Sequence, residues 1–104
     1  MRDVIELRRY TAVPGREADV IARFRDHTLQ LFDDLGFVVD RFWIDVDDPG
    51  VLVYAMEWAD RATMDAAWDA FVDDPRWVAI VELTEADGPI VERIESTLLE
   101  PFQR

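Results

Sequence analysis

The chain has 104 residues, half of them apolar, no cysteine and a formal net charge of −12 at pH 7. That length suits one domain over residues 1–104, and no apolar run approaches the roughly 18–20 residues that cross a bilayer. The charge argues against nucleic acid and anionic membrane as partners, and the missing cysteine excludes a disulfide framework, a thiolate nucleophile and a thiol redox switch.

All eleven basic residues are arginine, and without lysine there is no Schiff-base chemistry. Met1-Arg2-Asp3-Val4 leads straight into a strand pattern and lacks the apolar stretch of a signal peptide, so a cytoplasmic location is expected.

Glycine and proline divide the rest into seven segments. Val4–Tyr10 reads as a strand with Ile5 and Leu7 on one face and Glu6, Arg8 and Tyr10 on the other. Pro14-Gly15 then opens a helix over Arg16–Leu35, where Val20, Phe24, Leu31 and Leu35 stack at helical spacing and Gly36 closes the run. Phe37–Val46 and Val51–Trp58 flank Asp47-Asp48-Pro49-Gly50 and read as a hairpin.

Asp60 is placed to cap a helix over Arg61–Val72, and Asp74-Pro75 restarts a shorter one over Arg76–Glu85. Gly88-Pro89 precedes a last strand, Ile90–Leu99. The order β-α-β-β-α-α-β is α+β and ferredoxin-like, a βαββαβ unit with one extra short helix and a four-stranded antiparallel sheet.

The third strand decides the assembly. Val51-Leu52-Val53-Tyr54-Ala55-Met56-Glu57-Trp58 is apolar at both parities except at Glu57, as in a strand buried on both sides. The helices can cover only one face of such a sheet. A second copy is the simplest cover for the other, so a homodimer with two sheets face to face, a dimeric α+β barrel, is expected.

Glu6-Leu7-Arg8-Arg9-Tyr10, Pro14-Gly15, His27, Gly36, Phe42-Trp43, Trp58, Asp74-Pro75-Arg76-Trp77 and Leu98-Leu99-Glu100-Pro101 occur in fixed order along nearly the whole chain. In these pieces the sequence resembles the NIPSNAP family of dimeric α+β barrel proteins. The resemblance implies a ferredoxin-like protomer and a barrel formed between protomers. It implies no catalytic residues.

Six residues are candidates for contact with a ligand. If Ile5 and Leu7 meet the helices, Glu6, Arg8 and Tyr10 point into the barrel, and Arg41 and Trp43, which share a parity on the second strand, can join them. Arginine among aromatic rings suits a small anionic or planar molecule, whereas a Glu–Arg network at the dimer seam needs no ligand.

His27, the only histidine, sits at the edge of the first helix's apolar stripe. It is either a base or donor reaching a pocket, or a partly buried residue satisfied by the protein. The four tryptophans read mainly as core, with Trp77 docking the short helix. Asp45–Gly50 superficially resembles a calcium loop, but Pro49 and Met56 stand where ligands would be needed, so it reads as a turn.

The expected function is a homodimer that binds a small, partly apolar molecule in the barrel lumen, with no cofactor and no metal. A cofactor-independent monooxygenase or isomerase using His27, Tyr10 and Arg8 is one rival. The other is a structural or interaction protein with a filled lumen. Haem degradation of the kind that uses asparagine is disfavoured, because the chain has no asparagine.

Overall fold

The structure is a computed structural model and describes residues 4–102. Met1, Arg2 and Asp3, read from sequence as leading into the first strand, lie outside the described residues. Strand β1 (Val4–Ala12) is followed by α1 (Glu17–Arg23), a π-helical turn over Phe24–Thr28, and α2 (Leu29–Asp34). These three run as one continuous helix, with helical dihedrals through both junctions.

Next come β2 (Val38–Ile44), β3 (Val51–Trp58), α3 (Arg61–Asp73), α4 (Pro75–Thr84) and β4 (Val91–Leu99). All neighbouring strands are antiparallel, in the order β2-β3-β1-β4, which is the ferredoxin-like arrangement.

The helix ends follow from their local chemistry. Gly36 takes φ +76°, while Phe37 N–H reaches Phe32 C=O and Gly36 N–H reaches Asp33 C=O. The Phe32 and Phe37 rings then pack 5.5 Å apart across that glycine turn, a hydrophobic contact typical of this stop. Asp60 accepts from Thr63 N–H at 2.7 Å to start α3, and Asp74 accepts from Arg76 N–H at 2.9 Å with Pro75 opening α4. In the β2–β3 loop Asp45 accepts from the Asp47 and Asp48 amides, and Asp48 accepts from Gly50 N–H. Those carboxylates are committed to a turn.

The main core lies between the helices and one sheet face. Phe24, Phe32, Tyr54, Met56, Trp58, Met64 and Phe71 are buried there, with Phe37, Trp68 and Trp77 packed against them. The Phe71 and Trp77 rings are 4.7 Å apart, which docks the short helix as expected. Trp43, 43 % exposed, is the tryptophan outside this core.

Candidate functional site

Beginning with β1, the structure reverses the expected faces. Glu6, Arg8 and Tyr10 lie on the helix side, as Arg8 over the Trp68 ring of α3 and Tyr10 against Phe24 establish. Ile5 and Leu7 therefore lie on the helix-free side. The physical reason is that the charged pair is matched well enough to be buried, while the opposite face is apolar as well.

Glu6 is 1 % exposed. Its Oε1 accepts from Trp58 Nε1 at 3.0 Å and Trp68 Nε1 at 2.8 Å, and its Oε2 from Arg8 Nη1 at 3.0 Å and Ser96 Oγ at 2.7 Å. Four donors fill a carboxylate. Burial pushes the Glu6 pKa up, but hydrogen bonds from Ser96 and Trp68 and the charge of Arg8 outweigh it and hold the group below its ordinary value.

The Arg8 guanidinium lies 4.0 Å from the Trp68 ring, with Nε donating to Tyr54 OH at 2.9 Å and Nη2 to Tyr10 OH at 3.2 Å. The two phenols are themselves linked at 3.0 Å. Burial pushes the Tyr54 phenol well up, so it stays neutral, and Arg8 remains a cation because phenols and Glu6 offset its desolvation. The ion pair expected at a dimer seam is thus inside the protomer, under the helices.

Arg41 and Trp43 do not join it. Val39 pairs with Met56 on the helix side, but Arg41 then pairs with Ala55, which leaves Asp40 as the extra residue of a β-bulge. Without that bulge Arg41 and Trp43 would follow Val39 onto the helix side. With it they face the open side beside Val53, Ala55, Leu7 and Arg9.

This open side is apolar at its centre. Val51 and Ala55 are buried and Ile5, Leu7 and Val53 half-buried, while Trp43 and Leu99 are each 43 % exposed at the edge strands. Arg41 makes no hydrogen bond or ion pair among the described residues. Arg9 has one long contact, 3.4 Å to Asp45, and was missed by sequence reasoning although its alternation with Arg8 carried the signal.

His27 is separate from all of these. It sits on the π turn and lines a groove between α1 and α4 together with Arg16, Asp19 and Leu83. The cast of His27, Tyr10 and Arg8 is therefore split between an outer groove and the core. Sequence reasoning also missed Arg23, which is buried on the floor of that groove. Its position three residues after Val20 puts a charge in the apolar stripe, which was the available signal. Among the described residues no acidic or histidine cluster is arranged to hold a metal, and no helix is long and apolar enough to cross a membrane.

The NIPSNAP family model matches residues 5–104. Among solved structures, an uncharacterized NIPSNAP-like domain protein from Burkholderia xenovorans superposes with TM-score 0.81 at 15% identity, covering 97% of this chain and 86% of that one. A NIPSNAP family protein from Agrobacterium tumefaciens gives TM-score 0.80 at 16% identity, covering 97% and 87%. A variant of SnoaB, a cofactor-independent oxygenase from Streptomyces nogalater, gives 0.66 at 20% identity, covering 100% and 97%. No functionally curated protein matches. These likenesses, at low identity, concern the fold, and the match over nearly the full length identifies the chain as a member of the NIPSNAP family.

Proposed function

We propose that the protein works in the cytoplasm as a homodimer, its two open sheet faces meeting to form a barrel that holds a small, partly apolar molecule. One observation carries this reading: the helix-free face is apolar at its centre and charge-balanced at its rim. Arg9, Arg41 and Arg93 stand against Asp45, Glu57 and Glu95 there, on a chain whose net charge is −12. Two copies repel one another over most of their surface and least across this face. In a single chain Trp43 and Leu99 are exposed on this face and Ile5, Leu7 and Val53 only half-covered, and a second copy would cover them.

The ligand contacts are Arg41, Trp43 and Arg9 in place of Glu6, Arg8 and Tyr10. Trp43 supplies a flat apolar wall, and Arg41, two residues away on the same strand face, supplies unspent donors. An oxygenase or isomerase is the weaker reading, because Glu6 is saturated, Tyr54 is held neutral and His27 lines a different groove.

Native mass spectrometry of the purified protein tests the proposal. The expected species is a dimer that gains small-molecule adducts, fewer of them in Arg41→Ala. A dimer that never takes an adduct favours the filled-lumen protein, and a monomer removes the lumen altogether.

A further inference from the structure

We propose that the groove between α1 and α4 binds a small zwitterion, a carboxylate and an ammonium on a short apolar frame, with Arg23 taking the carboxylate. The groove has a volume of about 510 Å³, within the range of small-molecule sites. It involves none of the open-face residues and is independent of the dimer.

Arg23 is the anchor. It is only 5 % exposed and lies 5.1 Å from the Trp77 ring, with Nη1 donating to Glu85 at 2.8 Å and to Thr84 Oγ1 at 3.4 Å. Among the described residues, Nε and Nη2 have no acceptor. Among the described residues, Thr11 Oγ1 alone is a buried side-chain polar atom without a partner, so the free Arg23 edge opens onto the groove rather than into the core. The Nε–Nη2 edge presents two parallel N–H bonds, the fork that matches a carboxylate. A guanidinium this buried with three of its five N–H donors unspent is a preformed place for an acceptor.

The walls choose among acceptors. Asp19, Asp26 and Asp87 line the same groove. Arg16 bonds Asp19 at 2.5 Å and Arg25 bonds Asp26 at 3.1 Å, whereas Asp87 has no such partner among the described residues. A plain anion meets three carboxylates, and a plain cation meets Arg23 and Arg16. A zwitterion satisfies both signs, its ammonium toward Asp87. Leu83, 67 % exposed, and Ala22 give it an apolar wall.

The test is a nuclear magnetic resonance titration of the intact protein that follows the Arg23 Nε–H and Trp77 Nε1–H signals. The probes are L-leucine, 4-methylpentanoate, which lacks the ammonium, and 3-methylbutylamine, which lacks the carboxylate. Leucine should shift both signals saturably, and each analogue should bind about tenfold more weakly or worse, the loss expected for one charged hydrogen-bonded contact. In Arg23→Gln, where the Trp77 Nε1–H signal remains to be followed, leucine should no longer shift it. Asp87→Asn, an exposed position, should keep the melting temperature, weaken leucine about tenfold and leave it no better than 4-methylpentanoate. Unsaturable shifts with leucine, equal binding of all three probes, or unchanged affinity in Asp87→Asn would each overturn the proposal.

Discussion

Arg8 and Arg9 are neighbours on one strand, and the two faces of the sheet treat them in opposite ways. Arg8, its side chain 13% exposed, spends donors on Glu6, Tyr10 and Tyr54 and lies over the Trp68 ring. Arg9, 44% exposed, has one long contact to Asp45. The helix side has converted charge into fixed architecture, and the open side holds its charge in reserve. A polar residue in a sequence therefore signals a site only once its face is known.

The largest expected effect is on Arg8. Arg8→Ala leaves Glu6 buried against three remaining donors, and it should cost about 3–5 kcal/mol in chemical denaturation. Arg9→Ala should cost at most about 1 kcal/mol, as for an exposed pair. Strong coupling in the Glu6→Ala, Arg8→Ala double mutant would confirm that the pair acts as a unit, while additivity would erase the contrast between the faces.

Trp77→Ala comes next, at about 3 kcal/mol, since the ring is half-buried between Phe71 and Arg23. An unchanged melting temperature would show that α4 does not need this anchor.

Acid sharpens the comparison further. The Glu6 pKa is lower folded than unfolded, so its contribution is complete above the ordinary carboxylate range and is lost as pH falls through the folded value. Denaturant midpoints measured downward from neutral pH should fall more steeply for the natural protein than for Glu6→Gln. Identical slopes would place the acid sensitivity elsewhere.

Arg41→Ala is the smallest effect, within about 0.5 kcal/mol of the natural protein, because Arg41 makes no bond to lose among the described residues. A larger loss in the dimer would make Arg41 a seam residue rather than a ligand contact.

The sequence made the element order legible because each boundary has local chemistry: Gly36 at a positive φ, Asp60 and Asp74 as caps, and Asp45 and Asp48 in the hairpin turn. The third strand's apolar character at both parities also read through, since a strand's period of two survives any packing. Three features did not read through. Which face of β1 meets the helices depends on Trp58, Trp68 and Ser96 arriving from distant segments to fill Glu6.

That Arg41 and Trp43 part company with Glu6, Arg8 and Tyr10 depends on one extra residue at Asp40, a bulge with no glycine to announce it. The π turn likewise adds a residue inside a run that a constant helical spacing treats as uniform, and Thr28 Oγ1 spans it to the Arg23 carbonyl at 3.3 Å. Each is a long-range or single-residue event, invisible to periodicity.

Light scattering at low micromolar concentration, on the natural protein and on Leu7→Glu, tests the role of the open face most directly. Leu7 points away from the helices and is half-buried on that face, between Ala55 and Thr97. The natural protein should show twice the chain mass and Leu7→Glu a folded single-chain mass, with circular dichroism unchanged. A natural protein at the single-chain mass, or a folded Leu7→Glu that stays dimeric, would contradict that role.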